Sequence, residues 1–388
     1  MATNSGETDE ELHRMIREAA QSLANDYDWS YWRDHIEQQS FPAEFWEDLA
    51  EGGWFGTIIP EEYGGEGLGL TELSILAEEL QRQGTKTGIL LLLTPIFGSI
   101  SINRHGTEEQ KEEYLPRMAR GEEIWSLGLT EAGAGTNTLH IDTTAEQDGD
   151  EFVIDGQKMW ISGVDVADAM LLVARTSPFD PENPTGGITM FIVPEPADRD
   201  DIGLSPIELV PGYPETQFEV NLDGVRVHES QVLGEVGKGL HPLFDTLNPE
   251  RIAGAASTLG TGLRAIDLAV DYAKDRVVWS EPIGAHQGIQ HPLADAYSKL
   301  KVAKNMIYKA ARQFDAGEDC AENANIAKLR TTEAAFEAAN VAVQTHGGNG
   351  FTKDYEVFNL LQEARVPMTA PIANEMVKNH IAENALGL

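Results

Sequence analysis

Apolar residues recur at helical spacing in the first part of the chain, at strand spacing in the middle and at helical spacing again to the end. Leu12 and Ile16 begin the first helical pattern. Residues 169–174 and 188–193 form short apolar runs, and residues 321–345 form a long alanine-rich one. A spacing of three to four residues marks a helix, whereas short apolar runs between turn residues mark strands. The order therefore predicts helices, then strands, then helices.

These patterns predict an α+β fold with three domains. We expect an N-terminal α-helical domain at residues 1–123, a middle β-barrel or sandwich domain at 124–235, and a C-terminal α-helical bundle domain at 236–388. Within the first domain, the dense apolar run at residues 89–102 predicts a helix that is buried on most sides. A chain of 388 residues with 41% hydrophobic content is long enough to bury a core of this size.

The charge balance excludes some classes of partner. Asp and Glu number 64 against 28 Lys and Arg, which gives a formal net charge of −36. Such a surface repels nucleic acid and anionic membranes. We interpret the surplus as an adaptation to a salt-rich cytosol, where a Debye length of roughly 3 Å near 1 M salt screens the repulsion. An ordinary acidic enzyme is the alternative.

Cysteine usage and the N-terminal sequence predict a cytoplasmic protein. Cys320 is the single cysteine, so the fold needs no internal disulfide. The polar, acidic N-terminus does not resemble a targeting peptide, and no apolar run is long enough to span a membrane. The histidines lack the spacing of metal ligands, so no metal site is predicted.

Two segments of the middle region carry the residues with the clearest chemistry. The first, residues 127–137, reads LGLTEAGAGTN, and we call it the glycine segment. The second, residues 155–162, reads DGQKMWIS, and we call it the tryptophan segment. Glycines let backbone N–H groups approach an anion, hydroxyls can bond polar ring edges, and an indole offers a flat apolar face. A β-hairpin with a buried tryptophan is the plainer interpretation, since Asp155-Gly156 and Asp223-Gly224 both predict hairpin turns.

Together the two segments resemble the (V/L)TEPxAGSD and NGxKxWIT motifs of the acyl-CoA dehydrogenase family. The departures are Ala132 for proline, Asn137 for aspartate and Ser162 for threonine. Further likeness lies in Arg276-Val-Val-Trp279 with its downstream His-Gln pair, and in the QTHGGNG run at residues 344–350. The resemblance covers nearly the whole chain. It implies that family's fold, with a four-helix bundle as the C-terminal domain.

The resemblance also implies an FAD cofactor held by residues from both regions. Those of the middle domain are Leu127, Leu129, Thr130, Gly135, Thr136, Trp160, Ile161 and Ser162. Those of the C-terminal domain are Arg276, Trp279, His286, Gln287, Gln344, Gly347 and Gly348. Of these, Arg276, Gln287, Gln344 and Gly348 would touch the FAD of a neighbouring subunit. The substrate would be held by Thr136, Asn248 and Arg251.

The usual catalytic base of this family is a glutamate in a C-terminal loop, and its position here is Pro371. A subset of the family carries the glutamate in an L-x-x-E-R sequence instead, which the chain matches at Leu247–Arg251 with Glu250 as the base. Asn248 as N-cap and Pro249 at the first helical position predict a helix start there. Glu250 would then lie in a first helical turn, which favours an ionised carboxylate.

Pro371 raises a second question about catalysis. In relatives, a backbone N–H at this position bonds the thioester carbonyl, but proline has no N–H. Losing such a donor costs on the order of 3 kcal/mol of barrier. Either Ile372 donates in its place or a flavin ribityl hydroxyl acts with another donor, and a weakened activity is the third outcome.

The resemblance predicts FAD-dependent conversion of an acyl-CoA to a trans-2-enoyl-CoA, in fatty-acid or branched-chain catabolism. It implies electron-transfer flavoprotein as the electron acceptor, and a homotetramer of paired dimers with FAD at the subunit interface. An oxidase or monooxygenase on the same scaffold is one alternative. A non-catalytic flavin- or acyl-CoA-binding paralogue, suggested by Pro371, is another.

Overall fold

A computed structural model describes residues 5–88, 90–210 and 212–388, and all of their side chains except those of residues 5–8 and 241. The first region is helical, as predicted. Its α-helices are α1 Ser5–Ala24, α2 Trp29–Gln38, α3 Ala43–Glu51, α4 Leu70–Arg82, α5 Leu90–Leu92, α6 Ser101–His105 and α7 Glu108–Ala119.

The predicted buried helix at 89–102 is a composite element. Ile89 lies outside the described residues. From Leu90 the chain forms α5, then a π-helix at Leu93–Ile100, then α6. Every residue of the π-helix is buried. π-Helical turns are rare and occur frequently at functional sites.

The middle region forms one eight-stranded sheet. Its strands are β1 Trp125–Gly128, β2 Thr144–Asp148, β3 Glu151–Ser162, β4 Ala169–Arg175, β5 Ile188–Pro194, β6 Ile202–Ile207, β7 Gln217–His228 and β8 Val232–Leu233. The order is β6-β7-β3-β2-β4-β5-β8, with β1 parallel to β4. One face buries a core within the domain, and the other packs against α6, α7 and the start of the C-terminal region.

The two predicted Asp-Gly hairpin turns are wrong, because both dipeptides lie inside long strands. β3 and β7 run past them, and the register shifts where Ile154 pairs with Val225 and Gly156 with Leu222. The dipeptides therefore face each other across a β-bulge. Asp155 accepts a hydrogen bond from the Gly224 amide at 2.8 Å. The Asp-Gly pair supplies the positive φ that a turn requires, and a bulge requires the same conformation.

The last region is a helical bundle. Its helices are α8 Leu240–Asp275, α9 Gln287–Asp315, α10 Ala321–His346, α11 Val357–Arg365 and α12 Asn374–Asn384, and a two-stranded hairpin pairs β9 Val277–Val278 with β10 Glu281–Pro282. The α8, α9 and α10 helices share one buried core with helices of the N-terminal region. The predicted fold class is confirmed.

The predicted helix start at Asn248–Pro249 is wrong. The α8 helix begins at Leu240, and Pro249 lies inside it. Leu240 and Leu243 are buried against the sheet, and this burial favours extension of the helix toward its N-terminus. Pro242 lies in the first turn, where a missing N–H costs nothing. Pro242 therefore marks the start of α8 better than Pro249 does.

The predicted domain boundaries fall between elements. Position 123/124 lies between α7 and β1, and position 235/236 lies between β8 and α8. They remain predictions. No helix among the described residues combines the length and apolar character needed to cross a bilayer.

Candidate functional site

A buried ion pair joins the glycine and tryptophan segments. The Lys158 ammonium donates to Glu131 Oε1 at 2.7 Å and to the Leu129 carbonyl at 3.1 Å. Both charged side chains are buried. Burial alone would raise the pKa of Glu131, but the Lys158 charge and the Asp142 backbone N–H together lower it. Burial lowers the pKa of Lys158 to about 8. The pair is therefore ionised at neutral pH and fixes one segment against the other.

A β-bulge in β3 presents Trp160 to the outside of the sheet. The pairing with β7 shifts between Lys158 and Ile161. Trp160 sits in that shift with a φ of +62° and is 52% exposed. An aromatic residue rarely adopts this conformation, and such residues cluster at ligand sites. The backbone thus aims a flat apolar surface outward where burial would otherwise be expected.

Ile161 and Ser162, the two residues that follow Trp160, differ in their exposure because they lie on opposite faces of the strand. Ile161 is fully buried in the core of the sheet, so only its backbone can meet a cofactor. The Ser162 hydroxyl is half-buried and pairs with the Gln217 side-chain amide at 2.7–3.0 Å. The alternation of a strand explains this division. A cofactor contact of Ile161 therefore concerns its main chain, and it stays a prediction.

The glycine segment offers an open edge next to this surface. Leu127, Leu129 and Thr130 are half-buried, and Thr136 is exposed. A side chain added at Gly135 would meet nothing within 4 Å. An exposed indole, the hydroxyls of Thr130 and Thr136, and an open glycine-containing turn on adjoining segments fit a planar cofactor with a phosphate tail. The residues present therefore fit FAD.

Glu250 is buried without a partner. It is 7% exposed, and its carboxylate makes no hydrogen bond or ion pair to any other described residue. Burial raises its pKa to about 7, while the charges of Arg251 and Lys328 act in the opposite direction. The expectation of a carboxylate stabilised by a first helical turn is wrong, because Glu250 lies three turns into α8. Its near-neutral proton affinity suits a general base.

The composite helix lies between Glu250 and the tryptophan segment. A side chain added at Gly254, one turn beyond Glu250, would meet Leu92 Cδ1 at 4.0 Å. One added at Gly163, directly after the tryptophan segment, would meet Leu93 Cδ1 at 3.2 Å. Thr94 of the π-helix accepts a hydrogen bond from the Trp125 amide at 3.0 Å. The composite helix therefore contacts both α8, one turn beyond Glu250, and the residue that follows the tryptophan segment.

The residues predicted beside Glu250 contact each other. The Arg251 guanidinium donates to Asn248 Oδ1 at 3.0 Å, and burial lowers its pKa. Lys328 of α10, which was not among the predicted site residues, is 2% exposed, and its charge acts on Glu250. No motif pointed to it, because its position in an alanine-rich helix is apolar by pattern.

The predicted residues of the C-terminal domain gather at one end of the bundle. Arg276 ends α8, His286 and Gln287 begin α9, and Gln344 lies in the last turn of α10. Tyr272 of α8 stacks on His346 of α10 at 4.3 Å, which joins these helix ends. All seven residues except the half-buried His286 are exposed. Among the described residues, no hydrogen bond or ion pair connects this set to the glycine or tryptophan segments.

Trp279 projects into solvent from this exposed face. It lies at the tip of the β9–β10 hairpin with a φ of +61° and is 91% exposed. Its ring meets the His286 ring edge-on at 6.2 Å. An aromatic side chain held this far out is typical of a contact made with another molecule.

Comparisons with known proteins agree across the whole chain. Three family models match it: the N-terminal domain of acyl-CoA dehydrogenase at residues 10–122, the middle domain at 126–225 and the C-terminal domain at 237–386. The acyl-CoA dehydrogenase FadE12 of Mycobacterium tuberculosis is 40% identical over 100% of this chain and 99% of its own length.

Solved structures give the same result. A structure of a glutaryl-coenzyme A dehydrogenase complex with glutaryl-CoA superposes with a TM-score of 0.91 at 28% identity, covering 97% of this chain and 95% of that chain. A structure from work on the electron transferring flavoprotein of Acidaminococcus fermentans superposes with a TM-score of 0.92 at 29% identity, covering 97% and 98%.

Proposed function

The chain belongs to the acyl-CoA dehydrogenase family, whose members are FAD-dependent oxidoreductases acting on CH–CH bonds, and we propose that it converts an acyl-CoA thioester to the trans-2-enoyl-CoA. The observation that carries the proposal is Glu250, a buried carboxylate with no partner and a pKa of about 7. The apolar π-helix shares a buried core with α8, the helix that carries Glu250.

Glu250 removes the α-proton of the thioester in this proposal. A base is most effective when its proton affinity lies near the working pH, and burial gives Glu250 that value. The carboxylate has no competing hydrogen bond to break before it accepts the proton. When bound, FAD supplies the acceptor for the β-hydride.

The remaining predicted residues bind and orient. Trp160 and Ser162 would hold the flavin ring, with Leu127, Leu129 and Thr130 along its edge. Thr136 would reach both phosphate and substrate. Arg251 and Asn248, already bonded to each other, would position the pantetheine arm beside Glu250. The π-helix excludes water from the side that faces the base.

We further propose a homotetramer of paired dimers that reduces electron-transfer flavoprotein. The exposed set at the bundle end, with Trp279 at 91% exposure, supports a contact with the FAD of a second subunit. The likeness to a structure from work on an electron transferring flavoprotein supports the acceptor.

Anaerobic titration of the FAD-loaded enzyme tests the reaction. Butyryl-, octanoyl-, palmitoyl- and isovaleryl-CoA are added separately, and we expect at least one to bleach the flavin with formation of the matching enoyl-CoA. Binding of all four without bleaching would identify a non-catalytic paralogue. Steady hydrogen peroxide release in air at the rate of enoyl-CoA formation would identify an oxidase.

A further inference from the structure

Three lysines with buried side chains lie among the described residues, and one of them differs from the others. Lys86 bonds Glu356 at 2.9 Å and Glu363 at 3.1 Å. Lys158 bonds Glu131 at 2.7 Å. A buried ammonium is costly without an opposite charge, and these two have one.

Lys328 has no such partner. Its side chain is 2% exposed, and its ammonium donates to two neutral acceptors, the Ile372 carbonyl and Asn374 Oδ1, the latter at 2.8 Å. No carboxylate of the described chain lies within ion-pair distance of it. Burial lowers its pKa to about 8, so it is charged at pH 7. A fold that needed only an anchor here could use a neutral donor.

The hydrogen bonds of Lys328 connect α10 to the loop that carries Pro371. Ile372 lies in the loop at residues 369–373, in which Pro371 occupies the place of the family's usual base, and Asn374 directly follows that loop. Asn374 also bonds Thr332 of α10 at 3.1 Å, which secures the loop to the same helix. Among the described residues, the Ile372 N–H donates to no backbone carbonyl. Lys328 therefore holds the residue whose N–H stands next to the one that Pro371 lacks.

The charge of Lys328 also acts on Glu250. The charged groups around them are Arg251 on α8, Lys328 on α10 and Glu375 on α12. Arg251 and Lys328 favour the ionised carboxylate, whereas Glu375 is coupled only to the lysine. Because no carboxylate of the described chain lies within ion-pair distance of Lys328 and Glu375 is exposed to solvent, the ammonium is only partly compensated and its charge still acts on Glu250.

We propose that Lys328 is a positioning residue with two roles: it fixes Ile372 so that its N–H polarises the thioester carbonyl, and it supplies the charge that keeps Glu250 able to accept a proton. The inference rests on the proposed function, because it assumes that Glu250 is the base. It explains how the chain works with proline in the loop, and why a buried cation is left without a carboxylate.

Two variants change the charge at Lys328 in different ways: one removes it, and the other compensates it. Lys328→Gln keeps a hydrogen-bond donor but loses the charge. Asn374→Asp keeps Lys328 and places a carboxylate against it, which makes its surroundings resemble those of Lys86 and Lys158; it is the second route to the same electrostatic change if Lys328→Gln fails to fold. Asn374→Ala is the matched control, because it removes the same acceptor and leaves the charge uncompensated. Lys328→Arg restores charge at the original position.

The readout is the pH dependence of anaerobic flavin bleaching, with whichever of the four acyl-CoAs bleaches the wild type fastest. In Lys328→Gln and Asn374→Asp, we expect the acidic limb to move to higher pH by about one unit, which lowers the rate at pH 7 roughly fivefold. Asn374→Ala and Lys328→Arg should keep the acidic limb of the pH profile at the wild-type position. Asn374→Ala should change kcat, because it loosens the loop.

An infrared titration gives a readout that does not depend on turnover. The protonated carboxyl band that is absent from Glu250→Gln should titrate at higher pH in Lys328→Gln and Asn374→Asp than in the wild type. If both variants keep the wild-type limb and band, Lys328 is only a structural anchor and the proposal is overturned. If Glu250→Gln bleaches at the wild-type rate, the proposed function itself fails, so the two failures are distinguishable.

Discussion

Glu215 shows how far burial can change a side chain at the scale of a single residue. It is 3% exposed, and neither carboxylate oxygen has a hydrogen-bond partner among the described residues. Burial raises its pKa to about 8, and the nearby Glu363 adds to the shift. The Tyr213 hydroxyl, in the same loop, donates to the Glu363 carbonyl at 2.9 Å. The loop before β7 thus carries a carboxyl that is protonated at neutral pH.

This predicts a pH-dependent effect of Glu215→Gln on stability. Between the ordinary glutamate pKa of 4.5 and about 8, the folded state keeps a proton that the unfolded state releases, so the free energy of unfolding falls as pH rises. Replacing Glu215 by glutamine removes this loss of stability at high pH, because glutamine has no proton to release. In urea unfolding, we expect Glu215→Gln to exceed the wild type by on the order of 1–3 kcal/mol at pH 8 and by little at pH 5.

Glu219→Gln on β7 is the control, because its half-buried carboxylate already accepts hydrogen bonds from Gln157 and Asn221. It should show no such dependence on pH. An equal difference between Glu215→Gln and the wild type at both pH values would count against a buried protonated carboxyl.

Lys158 is a buried charge that has a partner, because it forms an ion pair with Glu131. Lys158→Met leaves Glu131 buried with only the amides of Asp142 and Thr143 as partners. Breaking a buried pair in this way costs about 3–5 kcal/mol. Because the pair holds the glycine segment to the tryptophan segment, we also expect the purified variant to retain less flavin, measured from its visible absorbance. The double variant Lys158→Met/Glu131→Gln should recover part of the stability, and equal stability of single variant and wild type would refute the role of the pair.

The bulge between β3 and β7 belongs to the scale of elements. Gly156 has a φ of +155°, and a side chain there would lie 2.5 Å from Thr143 Oγ1 and 2.8 Å from its Cα. Gly224 has a φ of +66°, with its nearest atom, Val153 Cγ1, at 4.0 Å. The two glycines face each other across the bulge but differ in the space available to them.

Gly156→Ala should therefore destabilise the protein more than Gly224→Ala. Both variants incur roughly 1–2 kcal/mol of backbone strain, and Gly156→Ala adds a steric term of about 1–3 kcal/mol. Urea unfolding of the two variants measures the difference directly. Equal losses would mean that the strands separate locally and that the bulge is not fixed by close contact with Thr143.

At the scale of the whole molecule, the net charge of −36 predicts a dependence on salt. Repulsion among 64 acidic residues weakens as the Debye length shortens from about 30 Å at 0.01 M to about 3 Å at 1 M. We expect the Tm of the holoenzyme to rise between low salt and molar KCl, and to rise much less in sucrose of equal osmolality. A Tm that does not respond to KCl would reject the interpretation of a salt-adapted protein.

The sequence predicted the order of domains because hydrophobic period is a local signal that tertiary structure rarely reverses. It failed where one local signal serves two structures. Asp155-Gly156 fits a turn or a bulge, and Asn248-Pro249 fits a helix start or a helix interior. Lys328 and Glu215 could not be predicted, because their character arises from burial by elements distant in the chain.

Removal of the α-proton by Glu250 can be tested by comparing Glu250→Gln with the wild type. Glu250→Gln and the wild type are loaded with FAD and mixed anaerobically with the acyl-CoA that bleaches the wild type fastest. Glu383→Gln, which changes an exposed carboxylate near the end of α12, is the control. We predict that Glu250→Gln keeps the flavin spectrum of the wild type but bleaches roughly 10²–10⁴-fold more slowly, while Glu383→Gln bleaches normally. Bleaching of Glu250→Gln at the wild-type rate would show that another group removes the proton.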